Sequence, residues 1–163
     1  MIDTCVRNGV FPFYAEDMIS ILNDGIKEFG LDSLTPEAIT ELAELRQSNG
    51  QCVSGWVDGK VMGCGGIDLM WEGVGEVWLM LSPDIDSYSL KTRMNAYKTI
   101  SEGLEELIQN NNLIRCQAWG RVGFHRSHTL FKHLGFTPEG VAEKYMPDGE
   151  DAILYARIRR QNG

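Results

Sequence analysis

The 163-residue sequence predicts one α/β (α+β) domain, residues 1–163, with a mixed, mostly antiparallel sheet flanked by helices. Helix-like and strand-like segments follow one another along the whole chain, without repeats, low-complexity tracts or linkers. Hydrophobic residues make up 43% of the chain, which is typical of a soluble globular protein. Because no apolar run reaches the roughly 20 residues that a membrane helix needs, we expect no membrane partner.

The first elements should be two helices. Apolar residues recur at helical spacing from Ala15 to Phe29, and Gly30 follows as a stop signal. A second helix begins at Thr35-Pro36-Glu37, which supplies a hydroxyl cap, a proline for the first helical position and an acid in the first turn. It ends at Asn49-Gly50. The residues before Ala15 carry little strand signal, so we expect a start poor in β-structure.

Three strands should follow these helices. Asp58-Gly59 stands between apolar runs in CVSGWVDGKVMGCGGIDL, which predicts a β-hairpin with a two-residue turn. The run from Gly75 to Ser82 is almost continuously apolar. Such a run is typical of a strand that is buried on both faces.

The second half predicts a long helix, a strand, a short helix and a hairpin. The long helix is expected from about Tyr88 to Gln109 by its 3.6-residue period, with an apolar side of Leu90, Met94, Tyr97, Ile100, Leu104 and Leu107. The strand LIRCQAWG follows, and Gly135 closes the short helix HRSHTLFKHLG. The turn PDGED joins the last two strands.

The net charge of −8 argues against nucleic acid as a partner. One stretch departs from this acidity, because residues Leu107 to Pro138 contain no Asp or Glu. This acid-free segment holds Arg115, Arg121, Arg126 and Lys132, together with the histidines His125, His128 and His133. It is either a chance run of solvated helix faces or a site for an anionic ligand.

The four cysteines are far apart and form no CxxC pair. Cys64 and Cys116 lie in apolar runs, which favours buried thiols over a disulfide or metal site. The N-terminus shows no basic region followed by an apolar block, so we expect no signal peptide and a cytoplasmic location. The histidines do not repeat a zinc-site spacing, and we expect no metal.

The C-terminal third resembles the GCN5-related N-acetyltransferases. The resemblance rests on a strand, a short helix, LFKHLGF (Leu130 to Phe136), TPEGV, a charged turn and AILYARI, within Trp119–Ile158. The order of elements is similar to that family over nearly the whole chain. The resemblance implies the family's fold and the transfer of an acetyl group from acetyl-CoA to a primary amine by direct attack.

The sequence also resembles, more weakly, small acetyltransferase-like proteins of tailed phages, including internal virion proteins of podoviruses. The shared features are a central strand that contains a tryptophan, a following turn without glycines, and the pair Ser127-His128 ahead of the last helix end. This likeness implies a location in the host cytoplasm or in the virion.

The turn after the central strand departs from the family pattern. The family has Arg/Gln-x-x-Gly-x-Gly/Ala there, and its backbone amides hold the pyrophosphate of coenzyme A. In SPDIDSYSLK, Asp86 takes the Arg/Gln position, so the chain is a divergent match. Free amides at a helix N-terminus and serine hydroxyls could still bind phosphate. The resemblance therefore implies cofactor contacts by the strand end and this turn, through Met80, Leu81, Ser82, Ser87, Tyr88, Ser89 and Lys91.

Asp86 either caps the following helix or faces the pyrophosphate. A cap is the favoured interpretation; facing the ligand would weaken cofactor binding by charge repulsion. The acid-free segment could compensate, since the resemblance places Arg121, Arg126 and His128 near the mouth of the cofactor cleft. Lys91 and Arg93 could add positive charge from the facing helix.

For catalysis the candidates are Glu76 and His125 as general base. Glu76 lies near the start of the central strand and alternates with Trp78, although it could equally be a solvated charge at a strand end. His125 titrates in a useful range but could be a surface residue at a helix start. The tyrosine that usually serves as the acid in the family is replaced by Phe131.

Two functions remain open at this stage. The first is an N-acetyltransferase acting on an amine of a small molecule or a protein, with a homodimer as the candidate assembly. The alternative is a catalytically inactive member of the fold that serves as a binding or phage structural protein. The missing glycines, Asp86 and Phe131 favour the alternative, whereas the intact order of elements favours the enzyme.

Overall fold

The computed structural model describes residues 7–25 and 31–160. They form one seven-stranded sheet in the order β1-β2-β3-β4-β5-β7-β6. Only the contact of β4 with β5 is parallel, and the other five contacts are antiparallel. This arrangement confirms the predicted mixed, mostly antiparallel sheet.

The strands are β1 (Gly9–Pro12), β2 (Cys52–Val57), β3 (Lys60–Trp71), β4 (Val74–Leu81), β5 (Arg115–Arg121), β6 (Thr137–Ala142) and β7 (Ala152–Ile158). The helices are α1 (Ala15–Gly25), α2 (Pro36–Asn49), α3 (Leu90–Asn110) and α4 (His125–His133). A single turn of 3₁₀ helix, Pro83–Ser87, connects β4 to α3 and is called the connecting turn below.

Two hydrophobic clusters lie on opposite faces of the sheet, as the alternation of side chains along a strand requires. On the first face α1 and α2 pack over the N-terminal strands, with Met18, Ile21, Cys64 and Met80 among the buried residues. On the second face α3 and α4 pack over the centre and the C-terminal strands, around Ile67, Leu104, Ala118, Phe136 and Tyr155.

Local signals placed several element ends correctly. The hydroxyl of Thr35 accepts the Ala38 N–H at 3.2 Å, and Gly50 ends α2 in the left-handed conformation with φ of 71°. Asp58 and Gly59 both have positive φ, as the predicted tight hairpin between β2 and β3 requires. The Cys64 and Cys116 thiols are buried, as predicted, and burial raises the pKa of Cys116 to about 12.

Other boundaries differ from the sequence prediction. The short edge strand β1 was not predicted, because its four residues pair with β2 and are mostly exposed. α1 is described only to Gly25, so the predicted end near Phe29 lies outside the described residues. β4 was expected to be buried on both faces, but most of its residues are half-buried because its second half borders an open gap.

The long helix begins at Leu90 rather than Tyr88, and its predicted apolar side is only partly buried. Leu104 and Ile108 are buried against the sheet, whereas Leu90 and Met94 are more than 60% exposed. The first turns of α3 therefore project past the core, beside the connecting turn.

Candidate active site

A cleft opens where β4 and β5 separate. The two strands pair at only three positions, from Val74 with Arg115 to Glu76 with Gln117. Beyond them Val77–Leu81 and Ala118–Arg121 have no register with each other. This gap is called the cleft below. Its β4 side presents a strand edge without a strand partner, and such an edge can hydrogen-bond an extended ligand that contains amides.

Glu76 and Gln117 lie at the apex of the cleft, the last point at which the strands pair. The Gln117 side-chain amide donates to the Glu76 carboxylate at 3.0 Å. Asp68 lies opposite Glu76 on β3, so a row of polar side chains crosses three strands on the first face. The predicted candidate base is thus a half-buried carboxylate with a defined orientation, rather than a freely solvated charge at a strand end.

Arg46 of α2 forms one wall beside this row. Its guanidinium lies 4.0 Å from the centroid of the Trp78 ring and 3.7 Å from the Asp68 carboxylate. Burial lowers the pKa of Arg46, and the charges of Asp68 and, more weakly, Glu76 oppose that shift. No hydrogen-bond partner for its Nε is present among the described residues.

The opposite wall is aromatic. The ring of Trp119 on β5 stacks on Tyr145 of the β6–β7 connection, with centroids 4.1 Å apart and planes 18° apart. Burial raises the pKa of Tyr145, and the negative charge of Glu76 adds to the shift. Trp78 and Trp119 therefore face the apex from two sides, whereas Trp71 is 67% exposed at the far end of β3.

Arg121 holds the β6–β7 connection rather than standing free at the cleft mouth. Its guanidinium forms ion pairs with Asp148, at 2.7 Å, and with Glu150. The Glu150 carboxylate also accepts the Gly123 N–H at 2.7 Å. The contact of Arg121 with a phosphate stays a prediction; in this arrangement two carboxylates already neutralise the charge of its guanidinium.

The connecting turn is stabilised by its own hydroxyl groups. Ser82 is buried, and its Oγ accepts the Asp84 N–H at 3.3 Å. The Ser87 hydroxyl donates to the Asp84 carbonyl at 2.6 Å, and the Ser89 hydroxyl donates to Thr92 Oγ1 at 3.0 Å. The Ser87 and Ser89 hydroxyls, expected to donate to phosphate, thus already have acceptors in the turn and in α3, and the Ser82 hydroxyl is buried.

The backbone of α3 nevertheless offers donors. Ser89 is the N-cap, and its Oγ accepts the Thr92 N–H at 3.2 Å. Within the described part of the chain, the N–H groups of Leu90 and Lys91 have no acceptor, whereas the Tyr88 N–H donates to Ile85 at 3.3 Å. The exposed ammonium of Lys91 has no ion-pair partner among those residues. An anion can therefore bind here through two amides and one lysine.

Asp86 does not cap a helix, and its side chain contacts another element of the fold. Its carboxylate forms an ion pair with Arg126 in the first turn of α4, 40 residues along the chain. The favoured interpretation of Asp86 as a cap is therefore wrong, since Ser89 occupies that position. Because the connecting turn follows β4 and α4 follows β5, this ion pair spans the mouth of the cleft.

The arginines of the acid-free segment all find acids elsewhere in the chain. Arg115 pairs with Glu139, Arg121 with Asp148 and Glu150, and Arg126 with Asp86. The segment therefore does not form an uncompensated positive wall, which corrects the expectation of charge compensation.

The histidines occupy different places. His128 is held by the Tyr155 hydroxyl, 2.6 Å from Nδ1, and by the Val122 carbonyl, 3.2 Å from Nε2. Because the carbonyl can only accept, Nε2 donates to it, and the Tyr155 hydroxyl is the partner of Nδ1. Both ring nitrogens are thus occupied, so the expected contact of His128 with phosphate lacks a free donor. His125 is exposed at the start of α4.

His125 lies far from the apex. β5 continues for four residues beyond Gln117, about 13 Å of strand, before the loop that leads to His125. The structure therefore brings Glu76, and not His125, together with the other polar side chains at the apex. Phe131 packs against Tyr155 with ring centroids 5.1 Å apart and supplies no proton donor.

Sequence reasoning missed Arg46, Asp68, Gln117 and Tyr145. Gln117 could have been found from the alternation that places it on the same face of β5 as Trp119. The others come from elements whose packing has no local signal. Met80 and Leu81 lie on the β4 side of the cleft, where the predicted cofactor contacts would use the strand edge.

Comparison with solved structures identifies the fold. Ard1 from Thermoplasma volcanium is 16% identical, with 93% of this chain and 97% of that chain covered at a TM-score of 0.69. The ribosomal-protein-S5-alanine acetyltransferase from Vibrio fischeri is 22% identical, with 91% of each chain covered at a TM-score of 0.62. RimL, a ribosomal L7/L12 α-N-protein acetyltransferase in complex with coenzyme A, is 16% identical, with 94% of this chain and 96% of that chain covered at a TM-score of 0.66.

The protein therefore has the fold of the GCN5-related N-acetyltransferases, as the sequence resemblance implied. No protein-family model and no curated protein matches the sequence. In the described residues, no helix has the length and apolar character needed to cross a membrane.

Proposed function

We propose that this protein is an acetyl-CoA-dependent N-acetyltransferase with Glu76 as its general base. The observation that carries the proposal is the position of Glu76 at the apex of the cleft, fixed by Gln117 and flanked by the Trp119–Tyr145 stack. A half-buried carboxylate at the closed end of an open cleft suits the removal of a proton from an amine. The acetyltransferase fold of the structural neighbours supports the same reaction.

The acetyl-CoA site would use backbone groups more than side chains. The free edge of β4 at Val77–Leu81 suits the amides of the pantetheine arm. The N–H groups of Leu90 and Lys91, with the Lys91 ammonium, suit the pyrophosphate. These donors would take the place of the glycine-rich turn, which this sequence lacks and which lets the backbone approach the pyrophosphate closely.

In the reaction, Glu76 accepts a proton from the incoming ammonium on the first face of the sheet. The neutral amine then attacks the thioester carbonyl, so a C–N bond forms and the C–S bond breaks. Phe131 cannot protonate the leaving thiolate, so water passes to it the second N–H proton of the tetrahedral intermediate, and the amide and the thiol of coenzyme A result. The acceptor class is open between small-molecule and protein amines.

A second function is favoured by one observation, the ion pair of Asp86 with Arg126 across the cleft mouth. A ligand with a pyrophosphate has to displace this ion pair or avoid it. A closed cleft mouth of this kind would suit an inactive binding protein or a virion-associated protein. A host-cytoplasmic or virion location, and a homodimeric assembly, remain proposals that accompany these two functions.

Ligand-induced stabilisation separates the two functions. Coenzyme A or acetyl-CoA at 100 times its dissociation constant should add about 2.7 kcal/mol to the free energy of unfolding. Absence of any thermal shift at millimolar ligand would overturn the enzyme proposal. With binding established, release of free thiol should be measured with peptide N-termini, lysine peptides and a polyamine as acceptors.

Glu76→Gln is the variant that tests the assigned base. It should lower kcat by a factor of about 10² to 10⁴ while coenzyme A affinity stays unchanged. His125→Gln serves as the comparison, because His125 lies beyond the far end of β5. A larger loss of kcat in His125→Gln than in Glu76→Gln would assign the base to the histidine.

A further inference from the structure

We propose that Gln117, Arg115 and Glu139 form a positioning relay that orients the Glu76 carboxylate. The inference rests on the proposed function for its catalytic meaning, but the relay itself is a property of the folded protein. Its three members lie on β5 and β6, and they reach Glu76 on β4 across one face of the sheet.

The orientation of the Gln117 side chain follows from hydrogen-bond chemistry. Arg115 Nε lies 3.1 Å from Gln117 Oε1, and Gln117 Nε2 lies 3.0 Å from Glu76 Oε2. A guanidinium can only donate and a carboxylate can only accept. A flipped amide would place two donors together at Arg115 and two acceptors together at Glu76, so only one orientation satisfies both neighbours.

Arg115 is itself anchored at its other end. Its two terminal nitrogens donate to both carboxylate oxygens of Glu139, one at 3.1 Å and the other in a shorter contact. This bidentate geometry fixes the plane of the guanidinium and therefore the direction in which Nε points. The hydrogen bond from Arg115 also holds the pKa of Glu139 below its usual value.

The fold places Glu139 for this contact through a bulge. The register of β6 against β7 shifts between Pro138 and Gly140, which leaves Glu139 as the extra residue. Such bulges redirect a side chain, and here the side chain spans β7 to reach Arg115 on the neighbouring strand.

The relay acts on a carboxylate that several charged groups surround. Facing Glu76 are Asp68 on β3, the Arg46 guanidinium from α2, the Tyr145 hydroxyl from the β6–β7 connection, and the Gln117 amide on β5. Arg46 is already paired with Asp68. The hydrogen bond from Gln117 is the direct contact that fixes the orientation of the Glu76 carboxylate.

The test uses Gln117→Leu and Arg115→Met, with Gln109→Leu as the matched control on the exposed end of α3. Two quantities are measured at one fixed pH: kcat and KM separately, and the carboxyl carbon resonance of Glu76 in the free protein. In Gln117→Leu the resonance should move, and kcat should fall by a factor of about 10 with KM little changed, because the hydrogen bond that orients the carboxylate is lost. Arg115→Met should give a smaller change in both quantities, and Gln109→Leu should give none.

The two readouts keep the relay and the enzyme function separate. If the resonance shifts in both relay variants but no acceptor is ever acetylated, the relay stands and the proposed function fails. If Gln117→Leu does not fold, Arg115→Met carries the test, since it leaves the glutamine in place. An unchanged Glu76 resonance in the folded relay variants overturns the inference, even where kcat falls.

Discussion

Replacing Asp86 by asparagine removes one partner of the ion pair that spans the cleft mouth. We expect coenzyme A to bind more tightly to Asp86→Asn, because Arg126 is then free to meet the pyrophosphate. The same change also removes a negative charge from the turn that would hold the phosphate. The prediction reverses the usual expectation that breaking a salt bridge weakens a binding site.

The structure bounds the size of the effect. The side chains of Arg126 and Asp86 are 58% and 53% exposed, so the pair contributes at most about 1 kcal/mol. Repulsion between a carboxylate and a phosphate at about 4 Å in water-like surroundings adds about 1 kcal/mol. The dissociation constant of coenzyme A should therefore fall by a factor of about 5 to 30.

Isothermal titration calorimetry with coenzyme A at fixed ionic strength measures this constant directly. Asp84→Asn is the matched control, since Asp84 belongs to the same turn but pairs with Lys60. Arg126→Gln should weaken binding. When both Asp86→Asn and Arg126→Gln are present, the gain in coenzyme A affinity from Asp86→Asn should be smaller than in the single variant, because the part that depended on Arg126 is lost.

Two results would refute this reasoning. If Asp86→Asn leaves the dissociation constant unchanged or raises it, Arg126 does not exchange its carboxylate partner for phosphate. If Asp84→Asn tightens binding as much as Asp86→Asn, net charge alone explains the effect and the position of the ion pair is irrelevant.

Three further predictions concern the fold. Ser54→Ala should lower the free energy of unfolding in urea by about 1–3 kcal/mol, because the buried Ser54 hydroxyl donates to the Asp17 carboxylate at 2.7 Å; an unchanged midpoint would show that water replaces it. Gly66→Ala should cost at least about 1–3 kcal/mol, since a Cβ there would lie 2.8 Å from the Cys52 Cα; a wild-type melting temperature would contradict this. Burial raises the pKa of Cys52 to about 11 and raises the pKa of Cys64 further. Alkylation of the folded protein, followed by mass spectrometry, should therefore be slow at Cys52, with a rate that rises about tenfold per pH unit below pH 11, and should leave Cys64 unmodified. Rapid labelling of Cys64 at neutral pH would contradict its burial.

Much of the fold could be predicted because its signals are local. The N-cap at Thr35, the turn at Asp58-Gly59 and the helix end at Gly135 each depend on a few neighbouring residues. Glu76 was identified by the two-residue period of its own strand. By contrast, the four-residue strand β1 was missed, because only its pairing with β2 defines it.

The candidate site depended on contacts that no local pattern encodes. Gln117 meets Glu76 across 41 residues of sequence, and Arg126 meets Asp86 across 40. The acid-free segment suggested an anion site because it contains basic residues and no Asp or Glu. In the folded protein, acids of the connecting turn, of β6 and of the β6–β7 connection form ion pairs with its three arginines.

The sequence by itself determined the order of the elements after β1, the fold that this order implies, the candidate base and the absence of the glycine-rich turn. Each of these depends on periodicity, turn chemistry or residue identity along the chain. Only the tertiary structure decided the partner of Asp86, since Ser89 caps α3 and leaves the aspartate free to reach Arg126. An ion pair forms between whichever charges the packing of strands brings within a few ångströms, and that distance is set by the sheet order rather than by separation in sequence.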